Sequence, residues 1–165
     1  MLAIVLVLVP RKGDIYERFE VRQNEWKIRF TARYEEYFFL PGAYWSFEST
    51  APETDDWREF LEFRVDDPID LPRERIVLVD ERIVYINLWH EAPITTDAGK
   101  TWRIWRPIYP LSDGELLNWH IGNLEIQKDG KGAAALDAYD SNLDRRITKT
   151  VVTQDYGQNW TESTN

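Results

Sequence analysis

The chain reads as an all-β protein built from antiparallel four-stranded units, and three observations carry that reading. Aromatic residues make up 14% of its 165 residues, with eight Trp, eight Tyr and seven Phe, and flat rings suit a pleated, half-buried surface. Apolar and polar residues alternate with period two over long stretches, as a strand with one wet face requires. An eight-residue turn pattern ending in tryptophan occurs twice, at Thr95–Trp102 and Thr153–Trp160.

Residues 13–165 are short enough for one all-β domain. Ahead of them, residues 1–12 form an apolar N-terminal segment in which Met1–Val9 is unbroken hydrophobic sequence, closed by Pro10, Arg11 and Lys12. Nine residues cannot span a bilayer. The segment reads as the remnant of a signal peptide or membrane anchor, as a buried strand, or as a tag. The first reading places the domain outside the cytoplasm, in the periplasm or tethered to a membrane.

The first strands follow. Ile15, Phe19 and Val21 alternate with polar neighbours, Gln23-Asn24 offers a turn, and Trp26, Ile28, Phe30, Ala32 and Tyr34 continue the alternation. Tyr37–Leu40, the turn pair Pro41-Gly42 and Tyr44–Glu48 complete a second hairpin. The stretch after the Ser49–Asp56 loop has two readings. Trp57, Phe60 and Leu61 share one helical face, whereas Trp57, Leu61, Phe63 and Val65 alternate as a strand; the longer alternation favours the strand.

A four-stranded unit comes next. Arg75–Val79, Ile83–Trp89, Ala92–Thr96 and Thr101–Arg106 read as strands, and Pro107 and Pro110 break the pattern. Four strands in so short a span match one propeller blade. The order repeats with longer loops in Asn123–Gln127, Gly132–Tyr139, Ile147–Thr153 and Asn159–Glu162, so the domain is expected to be a partial propeller or a β-sandwich.

Charge and composition exclude several classes of function. A net charge of −9 disfavours nucleic acid, because phosphate binding needs clustered Lys and Arg. It suits a partner with a basic surface. The absence of Cys removes thiol nucleophiles, disulfides and zinc–thiolate sites.

The two turns read Thr95-Thr96-Asp97-Ala98-Gly99-Lys100-Thr101-Trp102 and Thr153-Gln154-Asp155-Tyr156-Gly157-Gln158-Asn159-Trp160. Asp97 and Asp155 are placed to accept from turn amides. Gly99 and Gly157 permit positive φ, and Trp102 and Trp160 are expected to fold beneath their hairpins. Both turns resemble the Asp-box, or BNR repeat, of sialidases and other β proteins. That resemblance implies a structural role for Thr95, Asp97, Gly99, Thr101, Trp102, Thr153, Asp155, Gly157, Asn159 and Trp160. The sialidase signature Phe-Arg-Ile-Pro is not matched, since Phe63-Arg64-Val65-Asp66 shares only its first two residues. The stretch from Asp66-Asp67-Pro68 through the Thr95 turn is also similar to small periplasmic immunity proteins that neutralise secreted lipase effectors.

Other constellations read as structure. The two histidines, His90 and His120, lack a third ligand and read as packed or surface residues. Asp137, Asp140 and Asp144 do not follow calcium-loop spacing, and Asp55/Asp56 and Asp66/Asp67 read as solvated turn acids. No catalytic residue, metal or cofactor is expected. Tyr44, Trp45, Trp89, Trp105, Tyr109 and Trp119 are more aromatics than a small core hides, which points to a binding face. Trp89, Glu91, Trp105 and Tyr109 are the nominated contacts, in loops expected at opposite ends of the first unit. The expected function is a non-catalytic, extracytoplasmic protein-interaction module, an immunity or inhibitor protein among them. A glycan-binding or glycosidase-like module and an accessory subunit of a membrane complex are the alternatives.

Overall fold

The computed structural model describes residues 11–36, 42–52, 54–66, 69–111 and 114–163. The apolar stretch Met1–Val9 and the expected strand and turn at 37–41 lie outside the described residues. The first strand starts at Arg11 and so takes in Arg11 and Lys12 from the N-terminal segment.

Strands β1 (Arg11–Gln23), β2 (Trp26–Glu36), β3 (Ala43–Ser49) and β4 (Arg58–Val65) form one antiparallel sheet in sequence order, rather than two separate hairpins. Alternation explains its inner face, where the register aligns Phe19, Phe30, Phe47 and Leu61 in one row across all four strands. Gln23 already pairs with Trp26, so the first turn is Asn24-Glu25, one residue later than expected, with Asn24 at φ 50°. In β4, Phe47 pairs with Leu61 and Glu48 with Glu59, which leaves Phe60 as an extra residue. This bulge lets Phe60 and Leu61 both join the core. It also accounts for the helical spacing that competed with the strand reading.

Sheet two comprises β5 (Ile76–Leu78), β6 (Val84–Ile86), β7 (Ala92–Thr95) and β8 (Arg103–Trp105), preceded by a single 3-10 turn at Arg73–Arg75. It is the middle layer. Val84 and Ile86 pack with sheet one, while Tyr85, Ala92 and Ile94 pack with sheet three. Burial on both faces is why β6 and β7 read as continuous buried runs.

Where the prolines were expected to break the pattern, β9 (Ile108–Pro110) and β10 (Leu116–Asn118) form a two-stranded ribbon. A ribbon this narrow has only edge strands, which accept a residue without an N–H. Sheet three follows with β11 (His120–Ile126), β12 (Gly132–Asp140), β13 (Arg145–Thr153) and β14 (Thr161–Glu162). None of the sheets closes on itself. Among the described residues, no helix is long and apolar enough to cross a membrane.

The sheets are joined by a repeated device. Trp102, just before β8, stacks on Phe60 of β4 with centroids 4.0 Å apart. Trp160, just before β14, stacks on Trp105 of β8 at 4.2 Å. Each indole therefore reaches the preceding sheet, and Trp160 also lies close to Gly157 of its own hairpin. The receiving ring stands three residues after the corresponding tryptophan, as in Trp57/Phe60 and Trp102/Trp105; in the last unit that position is Ser163. Sheet one also holds a worn copy of the turn. Thr50 and Trp57 flank the Ser49–Arg58 pair as Thr95 and Trp102 flank Ile94–Arg103, with the same seven-residue spacing. No sheet precedes this one among the described residues, and Trp57 is covered instead by the Arg29 guanidinium at 3.7 Å.

Candidate binding site

Trp102 and Trp160 stack across to the preceding sheets, and the threonines, aspartates, glycines and Asn159 hold each turn together. In the first turn the Thr95 hydroxyl donates to Asp97 at 2.9 Å and accepts from the Gly99 N–H at 3.1 Å. Asp97 also accepts from the Thr101 N–H at 2.9 Å and hydroxyl at 2.6 Å. The second turn repeats this arrangement with Thr153, Asp155, Gly157 and Asn159, at 2.8, 2.9, 2.8 and 2.6 Å. Hydrogen bonds from the Asn159 N–H and side chain hold Asp155 down to a pKa of about 2. Burial pushes the Asp97 carboxyl up, but the hydrogen bonds from Thr101 and Thr95 outweigh it and hold it below the usual range. Ala98-Gly99 and Tyr156-Gly157 all have positive φ, as a tight hairpin of this hand demands.

A cleft of about 590 Å³ opens at the other end of the sheets, where β4 finishes and the β6–β7 loop returns. Trp45 forms its floor at 0% exposure, with Phe63 and Leu88 beside it. Trp89 is half-buried in its wall at φ 64°. The His90 N–H donates to the Leu88 carbonyl at 2.7 Å, closing a tight three-residue γ-type turn around Trp89. A bulky residue held at positive φ costs about 1–3 kcal/mol and persists only where its surroundings fix it. Here four contacts do so. Asn87 Oδ1 accepts the Trp89 N–H at 3.1 Å, the Trp89 carbonyl accepts the Ile121 N–H, the Arg75 guanidinium lies 4.0 Å over the indole, and the Trp45 ring lies 6.0 Å away.

The rim is charged and largely paired. Arg64 bridges the buried Glu35 at 2.6 Å and the exposed Asp66 at 2.5 Å. Arg106 holds Glu91 at 2.8 Å. His90 and His120 meet edge to face at 5.6 Å, and His120 Nδ1 contacts Asp137 at 3.1 Å. Burial raises the Asp137 carboxyl, but hydrogen bonds from Arg146 and His120 bring it below its ordinary value. The ionised Asp137 carboxylate accepts hydrogen bonds from the Arg146 guanidinium and from His120.

The nominated contacts divide. Ala92 pairs with Trp105, so the loops at Glu91 and Arg106 lie at the same end of sheet two, not at opposite ends. Trp89 and Glu91 line the cleft. Trp105 packs under Trp160, and Tyr109 packs edge-on against Trp119 at 6.4 Å, so neither is part of it. Trp45 and Trp119 are fully buried core residues rather than surface aromatics. The sequence reading missed Arg64, Arg106 and Leu88 as cleft residues, since only the packing of sheet one against sheet two assembles them. Asp140 is buried and caps its own turn by accepting from the Asn142 and Leu143 N–H groups.

Fold and site together define an all-β protein of stacked four-stranded sheets with an aromatic-floored, ion-paired cleft at one end. No protein-family model matches the chain, and neither a curated protein nor a solved structure is significantly similar to it.

Proposed function

We propose that the chain is a non-catalytic interaction module that binds a protein partner at the Trp89 cleft. The observation that carries this reading is Trp89 itself, a half-buried indole locked in a strained turn on the wall of an apolar cleft. A rigid aromatic in a partly desolvated pocket with a polar rim is the usual centre of a protein interface. The net charge of −9 favours a partner that brings basic residues and speeds its encounter. An immunity or inhibitor protein working outside the cytoplasm fits this reading. We read the turns at Thr95–Trp102 and Thr153–Trp160 as Asp-boxes that hold the sheets in place behind the cleft.

A photo-crosslinking amino acid at position 69, which is 46% exposed at the cleft lip, tests the reading in the native host. It should yield a discrete protein adduct, and the same group at the exposed position 148 on sheet three should not. With that partner purified, Trp89→Ala should weaken binding at least about tenfold, as a central aromatic contact does. Affinity should fall between low and physiological salt. Adducts at both positions alike, or a salt-independent signal on a glycan array with none from protein, would replace this reading with the glycan-binding one.

A further inference from the structure

A second pocket, of about 480 Å³, lies between sheets two and three and is walled by Arg75, Tyr85, Asn87 and Asn123. Its donors are the Arg75 guanidinium and the Asn87 and Asn123 amides, and its lining also carries the Glu74 and Glu125 carboxylates. Arg75 is half-buried, and among the described residues it makes one long hydrogen bond, 3.4 Å to the Asn87 carbonyl, and no ion pair. Its pKa is lowered by burial, with the Glu74 charge opposing. Asn87 is 8% exposed. Its Oδ1 accepts from Trp89, which fixes the amide's orientation and leaves its NH2 group without a partner among the described residues. Tyr85 does not compete for a ligand, because its hydroxyl is committed to the Leu124 carbonyl at 2.9 Å.

A guanidinium presents a planar fork of donors that matches a carboxylate in two parallel hydrogen bonds. The Arg75 fork has no ion pair among the described residues and is therefore open to a carboxylate from outside the chain. We propose that this pocket is a carboxylate-binding site, with the Arg75 guanidinium taking the anion and the Asn87 and Asn123 amides completing its coordination. Glu74 and Glu125 also line the pocket, and both are exposed. Their charges repel a dianion more than a monoanion, so the site selects a carboxylate over phosphate. The carboxylate belongs to a small acid, a peptide C-terminus or an acidic side chain. Because Arg75 and Asn87 also hold Trp89, occupancy is felt at the cleft described above. The site itself stands independently of any partner there.

The test is an NMR titration of the isotope-labelled full chain with sodium acetate, N-acetylglycine and N-acetylaspartate amide, against sodium chloride at matched ionic strength. Saturable shifts are expected at the Trp89 backbone amide, the Asn87 and Asn123 side-chain amides and Arg75 Nε, with millimolar affinity. The tighter of the two peptide-like acids identifies a C-terminus or a side chain as the natural source. Sodium phosphate should shift these signals at least threefold more weakly. Arg75→Gln should abolish saturation. Asn123→Ala, which leaves the Trp89 contacts alone, should weaken it severalfold without changing the melting temperature. Shifts that never saturate, that appear equally with chloride, or that persist in Arg75→Gln would overturn the site. Phosphate binding as tightly as acetate would overturn its assignment to carboxylates.

Discussion

The turn at Thr95–Trp102 and the turn at Thr153–Trp160 share the same side-chain hydrogen bonds to within a few tenths of an ångström, yet they lean on different surroundings. In the first, the Trp102 indole stacks on Phe60, meets Trp26 at 6.4 Å and donates from Nε1 to Ser49 Oγ at 3.0 Å. Ser49 Oγ donates onward to the Gly99 carbonyl at 3.1 Å, which ties the turn itself to sheet one. In the second, Trp160 stacks on Trp105, but its buried Nε1 has no hydrogen-bond partner among the described residues. The guanidinium of Arg103 reaches across to the Gly157 carbonyl instead. Turn chemistry is local and repeats faithfully. The contribution of each turn to stability is set by the neighbouring sheet, and there the two differ.

Removing the tryptophans exposes that difference most strongly. Trp102→Ala should cost about 3–5 kcal/mol in urea-induced unfolding, the range for truncating a buried aromatic. Trp160→Ala should fall at or below the lower end, because it removes no hydrogen bond. The reverse order would mean that the joint between sheets two and three is the stronger. The glycines sharpen the contrast. A Cβ on Gly99, at φ 75°, would come within 2.6 Å of the Trp26 ring, whereas one on Gly157, at φ 71°, would meet Ile94 and Trp160 at 3.0 Å. Left-handed backbone costs a substituted residue roughly 1–2 kcal/mol, and overpacking adds about 1–3 more. Gly99→Ala should therefore destabilise more than Gly157→Ala in the same unfolding assay.

Much of this was legible in the residues, and the gaps have physical causes. Period-two alternation marked β1 to β4, and turn chemistry marked the later units, so the all-β class could be read directly. The turn copy at Thr50–Trp57 was hidden because Pro52 and Thr54 stand where aspartate and glycine stand elsewhere. Here the Thr50 hydroxyl accepts the Lys27 N–H at 3.0 Å rather than a turn amide. The β9–β10 ribbon was hidden because proline argues against a strand, except at an edge. In the cleft, Trp89 and Glu91 stood out as an aromatic beside an acid. Arg64, in β4, and Arg106, just after β8, stand far apart in sequence, and a pattern search along the chain cannot bring them together. Trp105 and Tyr109 looked like surface aromatics because nothing in their own strands announces Trp160 and Trp119 as their covers.

Acid separates the turns more gently. Asp155 is held at about 2, below the usual carboxylate range, and Asp97 is lowered too. A carboxylate whose folded pKa is depressed adds stability above its unfolded pKa, and that stability fades as pH falls through the folded value. Both turns should therefore loosen as pH drops from about 4 to 2. Asp155→Asn should flatten this acid limb of the stability profile, measured by thermal melts across that window. An unchanged limb would remove the Asn159 hydrogen bonds to Asp155 as its source.

The smallest effect isolates a single hydrogen bond. Replacing either tryptophan with phenylalanine keeps a ring for stacking and removes the indole N–H together with some buried area. At Trp102 the change also breaks the donation to Ser49 Oγ, worth about 0.5–1.5 kcal/mol net. At Trp160 it removes a buried donor that has no partner, which relieves a desolvation penalty of about 1–3 kcal/mol and offsets the lost area. Trp102→Phe should thus destabilise, while Trp160→Phe should be nearly neutral or stabilising. A double-mutant cycle between Trp102→Phe and Ser49→Ala checks the cause, since residues sharing a hydrogen bond couple by about 0.5–3 kcal/mol and independent ones add. Strict additivity, or equal losses at the two tryptophans, would show that stacking on the preceding sheet alone decides the strength of each joint.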